Sequence, residues 1–230
     1  MTTFVLVHGA WHGGWCWARV RRGLRRRGHR CVVPTLTGLG DRSHLLSRST
    51  GLEVHIRDVV GTIEAEELED VVLVGHSYAG QLVPAVVDRL PGRIRHAVTL
   101  DGSVPYDGES VLDVVSGSLR DRWAASVEDG WLLPPAPAHF LGIKEARDVA
   151  WVTRRLTPHP WKAMNDRLRL EGKAFSRVPK TFVLCNDPPK AENLALKRVR
   201  EDRWNLVELP TGHDAMVTAP DALAEVLQRL

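Results

Sequence analysis

The stretch Val71-Val-Leu-Val-Gly-His-Ser-Tyr-Ala-Gly80 decides the fold that we predict for this chain. The four apolar residues before Gly75 predict a buried strand, and the pattern of residues 81–90 predicts a helix. A serine between small residues at such a strand-to-helix turn is typical of a nucleophile elbow, which exposes the hydroxyl above a sheet. The helix N-terminus then points amide hydrogens at that hydroxyl. We therefore predict Ser77 as a nucleophile, with Ala79 in place of the second glycine of the usual pattern.

The composition is that of an ordinary globular protein. The chain has 230 residues, of which 43% are hydrophobic and 26% are charged, a length that α/β proteins often use for one domain. No stretch approaches the ~18 apolar residues of a membrane helix, and the apolar run at residues 4–7 is too short for a signal peptide. Three scattered cysteines indicate free thiols in a reducing compartment. We expect a cytoplasmic protein without a membrane partner.

The positive charge of the chain is unevenly distributed. The net charge is only +3, but seven arginines crowd residues 19–30. Such a run suits either a nucleic-acid patch or a solvated outer face of a helix. No aromatic residues alternate with the arginines, as they do on many surfaces that bind single strands. We therefore favour the solvated face and expect no nucleic-acid partner.

Strands and helices alternate along most of the chain. The predicted strands are residues 3–7, 31–33, 71–74, 94–100, 180–185 and 205–209, and the predicted helices are residues 14–27, 52–68, 77–90, 191–200 and 220–230. Residues 35–50 are rich in Gly, Ser and Thr and predict a loop. The alternation predicts an α/β fold in which helices cover both faces of a mainly parallel sheet.

Residues 104–178 break this alternation and hold half of the aromatic side chains of the chain. We predict a helical cap insertion at about 104–178 within a single domain of residues 1–230. It should pack over the carboxyl edge of the sheet, where open α/β sheets bind ligands. A peripheral helical subdomain with a tryptophan-rich core is the alternative, and both can hold. The side chains that we predict to contribute to a substrate pocket under this cap are Trp11, His12, Tyr78, Trp123 and Trp131.

A glycine-rich turn, His8-Gly-Ala-Trp-His-Gly-Gly14, follows the first strand. Acyl transfer needs donors fixed on the developing oxyanion, each worth about 10²–10³ in rate, and a glycine-rich turn lets backbone amides face inward. We predict the amides of Ala10 and Tyr78 as the oxyanion pair, with Trp11 as the fallback for Ala10. The histidines of this turn are expected to support it or the pocket.

The general base is predicted late in the chain. His213 lies in Thr211-Gly-His-Asp214, after the last strand and before the last helix. A loop at the carboxyl edge of the sheet can bring its imidazole to Ser77. His76 is adjacent to the serine, but the geometry of an elbow should direct it away.

The acid that would orient this base has two candidates. Asp101 directly follows the strand at residues 94–100, and Asp187 follows the strand at 180–185. Either aspartate can instead be a structural turn residue. Asp214 is adjacent to the base in sequence and is therefore poorly placed to pair with it.

Four stretches together carry a family resemblance. They are Val5-Leu-Val-His-Gly-Ala-Trp-His-Gly-Gly-Trp-Cys-Trp17, Pro34-Thr-Leu-Thr-Gly-Leu-Gly-Asp-Arg-Ser-His44, Gly75-His-Ser-Tyr-Ala-Gly80 and Gly212-His-Asp214. The chain resembles the α/β-hydrolase superfamily, and within it the bacterial esterases similar to pyrethroid hydrolase, plant methyl esterases and hydroxynitrile lyases. The resemblance spans both ends of the chain and is weak in the insertion, which decides the substrate.

Two positions depart from the family pattern. The plant members place their acid about three residues past the strand, where this chain has Pro188. Asp187 is one residue away from that position, and Asp101 is the substitute used by some branches, so we favour Asp101. The hydroxynitrile lyases have a lysine directly after the base, where this chain has Asp214. This difference argues against cyanohydrin cleavage.

We predict a serine hydrolase that needs neither cofactor nor metal. Its substrate would be a carboxylic ester or lactone of a bulky apolar small molecule, cleaved through an acyl-enzyme. The first alternative is a lyase, cyclase or dehydratase on the same scaffold, with His213 as acid and base. A second alternative is a binding module, but such modules tend to lose a triad residue that this chain keeps. A homodimer is left open.

Overall fold

A single parallel sheet forms the centre of the protein. The structure is a computed structural model that describes residues 1–189 and 193–230. The strands in chain order are β1 (Thr3–Val7), β2 (Arg30–Val32), β3 (Val71–His76), β4 (Ile94–Leu100), β5 (Leu132–Leu133), β6 (His159–Pro160), β7 (Lys180–Cys185) and β8 (Asn205–Leu209). Six of them form a sheet in the order β2-β1-β3-β4-β7-β8, and every pair in it is parallel. The predicted α/β architecture is confirmed.

The central strands are mostly apolar and buried because helices cover both faces of the sheet. All six residues of β3 are buried, as are the last four residues of β1. The carboxyl ends of parallel strands meet at one edge. The loops that follow β1, β3, β4 and β8 therefore converge there, and these loops hold the predicted site residues.

The helices that flank the sheet match the predicted positions, except that the short helix at Ala215–Thr218 was not predicted. They are α1 (Ala18–Arg26), α2 (Leu52–Ala65), α3 (Leu82–Arg89), α9 (Leu194–Glu201), α10 (Ala215–Thr218) and α11 (Pro220–Gln228). Helix α1 packs against α11, and α2 packs against α3. On α1, Val20 and Leu24 are buried, whereas the arginines at 21, 22, 25 and 26 are exposed. The arginine run therefore forms an outer helix face.

The segment predicted as a cap consists of short elements. They are α4 (Val111–Val114), α5 (Gly117–Ser126), α6 (Ala146–Thr153), α7 (Trp161–Asn165) and α8 (Ala174–Arg177), with a 3-10 turn at Ala138–Leu141. Strands β5 and β6 pair with each other in antiparallel fashion and form a two-stranded sheet of their own. Side-chain caps start the first two helices: Ser110 and Asp113 form a capping box, and Ser116 accepts a bond from the amide of Leu119.

Several predicted boundaries shift. The helices expected at 14–27 and 77–90 each begin with a 3-10 turn, Gly14–Trp17 and Ser77–Gln81. The loop expected at 35–50 contains a 3-10 helix, Gly40–Leu45. The helix expected at 191–200 starts at Leu194 because Asn193 caps it, accepting a bond from the amide of Leu196; residues 190–192 lie outside the described residues.

Two observations bear on the compartment and membrane predictions. Within residues 1–189 and 193–230, no helix is both long and apolar enough to cross a membrane. Cys16 and Cys31 are free thiols. Burial raises the pKa of Cys31 to about 11, which makes this thiol a poor nucleophile at neutral pH.

Candidate active site

Ser77 lies at a tight turn between β3 and the helical segment that follows. Its φ is +53°, in the left-handed region that a side chain with a Cβ adopts only at a cost in free energy. The turn closes tightly around it: a methyl group at Gly75 would lie 2.6 Å from the carbonyl oxygen of Ala79, and one at Gly9 would lie 2.9 Å from the Cβ of Ser77. The strained serine and its two glycines give the geometry that the sequence motif predicts.

His213 lies between Ser77 and Asp101 and contacts both. Its Nε2 is 2.9 Å from the Oγ of Ser77, and its Nδ1 is 2.6 Å from Oδ2 of Asp101. A carboxylate only accepts hydrogen bonds, so Nδ1 carries the proton and Nε2 is left to accept from the serine hydroxyl. The amide of Cys185 donates to the other carboxylate oxygen of Asp101, at 3.3 Å, and fixes its orientation.

Asp187, the alternative acid, points elsewhere. Its Oδ2 accepts a hydrogen bond of 2.9 Å from the Nζ of Lys144, and half of its side chain is exposed. Its main-chain amide donates to the carbonyl of Thr211. Asp187 is therefore a surface residue of the loop after β7, while both ring nitrogens of His213 contact other groups.

The glycine-rich turn after β1 runs along one side of Ser77 and is fastened to the cap. Trp11 has a φ of +65°. Its carbonyl accepts a bond of 2.9 Å from the amide of Thr157, and its indole N–H donates to the carbonyl of Leu133 at 3.2 Å. Ala10 and Tyr78, whose amides are the predicted oxyanion donors, are both buried. The turn that carries one predicted donor is thus held by Thr157 and Leu133 of the predicted cap.

A buried ion pair lies behind the glycine-rich turn and His213. His12 Nδ1 donates to the carbonyl of Ala10 at 2.7 Å, and its Nε2 lies 3.0 Å from Oδ2 of Asp214. His76 Nε2 donates to the carbonyl of His213 at 3.1 Å. We call His12, His76 and Asp214 the buried brace, because together they join the turn after β1 to the loop that carries His213. All three side chains are at most 1% exposed.

The hydrogen bonds of His12 show that it is charged. Both of its ring nitrogens face acceptors, so both carry protons. Burial by itself would lower the pKa of His12, but the charge of Asp214 and the hydrogen bond to it raise that pKa. Burial would likewise raise the pKa of the Asp214 carboxyl, yet the positive charge of His12 lowers it. Each ion compensates the other for the loss of water.

The other buried histidines nearby are neutral. Burial lowers the pKa of His8 and of His76 to about 3, and that of His55 to about 4. His8 donates to the carbonyl of Gly9 and accepts from the amide of Leu36. A neutral imidazole supplies one donor and one acceptor, and His8 uses both to hold the end of β1 against the next loop.

The predicted pocket residues occupy different environments. Trp123 is half-buried and meets the buried ring of Trp11 edge-on, at 6.2 Å between ring centroids. Trp131 is half-buried, and the guanidinium of Arg48 lies over its ring at 5.1 Å. His12 needs a correction: its ring is buried and both of its nitrogens bind protein groups, so it supports the turn and does not face a substrate.

Sequence reasoning missed the buried brace. The sequence predicts that His76 projects away from the site, and it does turn from the serine, but it holds the main chain of His213. Asp214 was set aside as an acid for His213 and proves to be the partner of His12, 202 positions away in the sequence. The sequence holds one signal for this pair. Asp214 directly follows His213, and if it is buried it needs a cationic partner, because burying a lone carboxylate costs a large free energy.

His76, His213 and Asp214 also place one possible ligand atom each within 4.8 Å of one another, a spacing that can suit a metal ion. The hydrogen bonds of the two histidines indicate a different role for this cluster. Both ring nitrogens of His213 contact Ser77 and Asp101, and His76 Nε2 donates to a carbonyl. The described geometry is that of a hydrogen-bond network.

Comparison with known proteins decides the family. Residues 4–226 match the model of the alpha/beta hydrolase family. The chain belongs to this family. It is 40% identical, over the full length of both chains, to the carbendazim hydrolyzing esterase of Nocardioides sp. (strain SG-4G). It is also 24% identical to methylesterase 10 of Arabidopsis thaliana, covering 99% of this chain and 90% of the relative. The protein is a carboxylic ester hydrolase, as these comparisons together show.

Solved structures share the fold. An extracellular alpha/beta-hydrolase from a Paenibacillus species aligns with a TM-score of 0.88 at 22% identity, covering 100% of this chain and 98% of the other. A pyrethroid hydrolase from Sphingobium faniae JZ-2 aligns with a TM-score of 0.75 at 21% identity, covering 99% and 96%. The predicted resemblance to the bacterial esterases and plant methyl esterases is confirmed.

Proposed function

We propose that this esterase is a serine hydrolase in which Ser77, His213 and Asp101 form the catalytic triad. The observation that carries the proposal is the continuous chain of two hydrogen bonds, 2.9 Å and 2.6 Å long, that joins the serine hydroxyl to the imidazole and the imidazole to the carboxylate. The proton on Nδ1 leaves Nε2 as the atom that can take a proton from Ser77.

The reaction proceeds in two steps. In the first, Nε2 of His213 takes the proton of Ser77 as Oγ attacks the ester carbonyl carbon, and the same proton passes to the departing alcohol. The amides of Ala10 and Tyr78 donate to the oxyanion. In the second step, His213 activates a water molecule that attacks the acyl-enzyme, and the carboxylic acid leaves while Ser77 regains its proton.

The substrate class that we propose is a carboxylic ester of a bulky, mainly apolar small molecule. Two features support it. Trp11 contacts Trp123 edge-on, and Trp11 and Tyr78 are buried beside Ser77; as the proposed pocket wall, these aromatic side chains would favour flat or large apolar groups. The Nocardioides relative is named for the hydrolysis of carbendazim, and it covers this chain completely at 40% identity.

Covalent labelling and one substitution test the proposal. A fluorophosphonate should label the wild-type protein at Ser77, and turnover of nitrophenyl esters should show an acyl-enzyme burst. Ser77→Ala should abolish labelling and lower kcat by about 10⁶, with an unchanged circular dichroism spectrum. Ester cleavage at the wild-type rate in the Ser77→Ala variant would falsify the role of this serine.

A further inference from the structure

His159 is a buried polar side chain that stands out from its neighbours. It lies on β6 and has no exposed surface. Within the described residues, neither of its ring nitrogens has a hydrogen-bond partner. Buried polar groups in folded proteins are nearly always hydrogen-bonded, so an unpaired imidazole calls for a specific reason.

The two side chains whose rings contact His159 are, in contrast, paired with each other. The hydroxyl of Tyr78 donates to Nδ1 of His55 at 2.8 Å, and Nε2 of His55 donates to the carbonyl of Thr37 at 3.0 Å. This pairing uses the polar atoms of both side chains. His159 packs against the two rings, 4.5 Å from Tyr78 and 5.8 Å from His55 between centroids, but it takes no part in their hydrogen bonds.

The position of His159 places it beside the reacting centre. Its strand pairs with β5 at Leu133, whose carbonyl holds the indole of Trp11. Two residues before it, the amide of Thr157 holds the carbonyl of Trp11. The two-stranded sheet of β5 and β6 therefore lies over the predicted oxyanion turn. The ring of His159 packs against Tyr78, the residue directly after the proposed nucleophile.

We propose that His159 is a specificity-determining residue that binds a polar group in the acyl part of the substrate. The acyl group of an ester attacked by Ser77 must lie beside the oxyanion turn and Tyr78. The ring of His159 packs against Tyr78, and its strand partner Leu133 holds Trp11 of that turn. The ligand class is a planar acyl group with a hydrogen-bonding nitrogen, such as a nitrogen heteroaromatic acid. The inference rests on the proposed function of Ser77.

The protonation state of His159 fits such a ligand. Burial lowers the pKa of its imidazole well below the usual value, and the nearby His55 and His8 lower it further. The ring is therefore neutral at pH 7 and offers one N–H donor and one nitrogen acceptor. A site built to hydrogen-bond a polar group discriminates strongly against an analogue that lacks the group.

The test compares two esters that have the same shape. The probes are 4-nitrophenyl benzoate and 4-nitrophenyl pyridine-2-carboxylate, which differ by one ring nitrogen. For each probe, kcat/KM of the His159→Leu variant is divided by that of the wild type, so that the intrinsic reactivity of the ester cancels. We expect a loss of about tenfold for the pyridine ester and a change of less than twofold for the benzoate.

Two matched variants complete the comparison. His159→Gln keeps a donor and an acceptor and should recover part of the preference. His139→Leu, on an exposed cap histidine, should leave both ratios near one. Equal effects of His159→Leu on the two esters, or no effect on either, would show that His159 is a core residue and overturn the inference.

A binding measurement separates this inference from the role of Ser77. In a Ser77→Ala background the intact pyridine ester is titrated by calorimetry, with and without His159→Gln and His159→Leu. About tenfold weaker binding in the His159→Leu variant supports the subsite even if ester turnover proves not to depend on Ser77. Equal affinities of Ser77→Ala and of its two double variants would contradict the subsite, whether or not ester turnover depends on Ser77.

Discussion

Nε2 of His12 lies 3.0 Å from a carboxylate oxygen of Asp214, and this buried pair joins the two ends of the chain. His12 holds the carbonyl of Ala10, whose amide is a proposed oxyanion donor, while Asp214 directly follows the proposed base. The distance between the donor and the base is therefore set by an ion pair that touches neither the serine nor the substrate.

Removing the charge of Asp214 should destabilise the fold and lower kcat. Asp214→Asn leaves the His12 imidazolium without its partner in a site closed to water, a change that costs about 3–5 kcal/mol in comparable pairs. We expect the free energy of unfolding in urea at pH 7 to fall by that amount, with kcat lowered more than KM is raised. Asp187→Asn, at a half-exposed pair with Lys144, is the control and should cost at most about 1 kcal/mol. Similar losses of unfolding free energy in Asp214→Asn and Asp187→Asn would show that the buried brace contributes no more stability than a surface ion pair.

The two candidate acids should separate cleanly in kinetics. Asp101→Asn removes the carboxylate that holds the proton on Nδ1 of His213, and the wrong tautomer then faces the serine. We expect kcat to fall by about 10⁴, with the melting temperature changed little in comparison. Asp187→Asn should keep most of its activity, because its side chain contacts Lys144 at the surface. The reverse pattern, with activity lost in Asp187→Asn, would mean that the acid comes from β7.

Acid should destabilise this protein well before its carboxylates titrate. His8, His55 and His76 have folded pKa values of about 3, 4 and 3, and the pKa of His159 is also lowered. The unfolded chain binds protons at these positions near pH 6.5 and the folded chain does not. The stability that they contribute is therefore complete above pH 6.5 and is lost as the pH falls toward 4, by about 1.4 kcal/mol per pH unit for each histidine.

Urea unfolding between pH 7.5 and 4.5 measures this slope. His159→Leu should reduce the slope of unfolding free energy against pH by the equivalent of about one proton. The brace acts in the opposite direction, because the raised pKa of His12 gives a contribution that is complete below pH 6.5 and is lost as the pH rises. A stability that does not change between pH 6.5 and 4.5 would mean that these histidines are accessible to protons in the folded protein.

Truncating the half-buried tryptophan of the cap should alter specificity more than stability. Trp123 meets Trp11 edge-on, so Trp123→Ala should raise KM or change the preference for acyl-chain length. Trp131→Ala, beneath the guanidinium of Arg48, should behave in the same way if it borders the pocket. Trp17→Ala is the core control, since Trp17 is fully buried. If both cap variants unfold as readily as Trp17→Ala and keep the wild-type specificity, they are core residues.

Local patterns were enough to predict much of the fold and part of the site. The glycines around Ser77 and the apolar runs of the strands are signals within a few residues, and chain order then places Ser77, His213 and the strand ends at one edge. Both Asp101 and Asp187 lie at that edge because β4 and β7 are neighbours, so order alone could not choose between them. The pairing of His12 with Asp214 and the position of His159 depend on contacts between distant segments, and no local pattern encodes these contacts.

Main-chain groups of the predicted cap are fastened to the turn after β1 and to the loop that carries His213, which bears on how a substrate would reach Ser77. The amide of Asp214 donates to the carbonyl of Leu141 at 3.0 Å, and Gly142 leaves no room for a methyl group at Gly212. On the other side, Thr157 and Leu133 hold Trp11. A cap that swung open would pull apart the loops that position the reacting groups. We therefore expect substrates to reach Ser77 without an opening of this segment, and catalysis to need no lipid–water interface to expose the site.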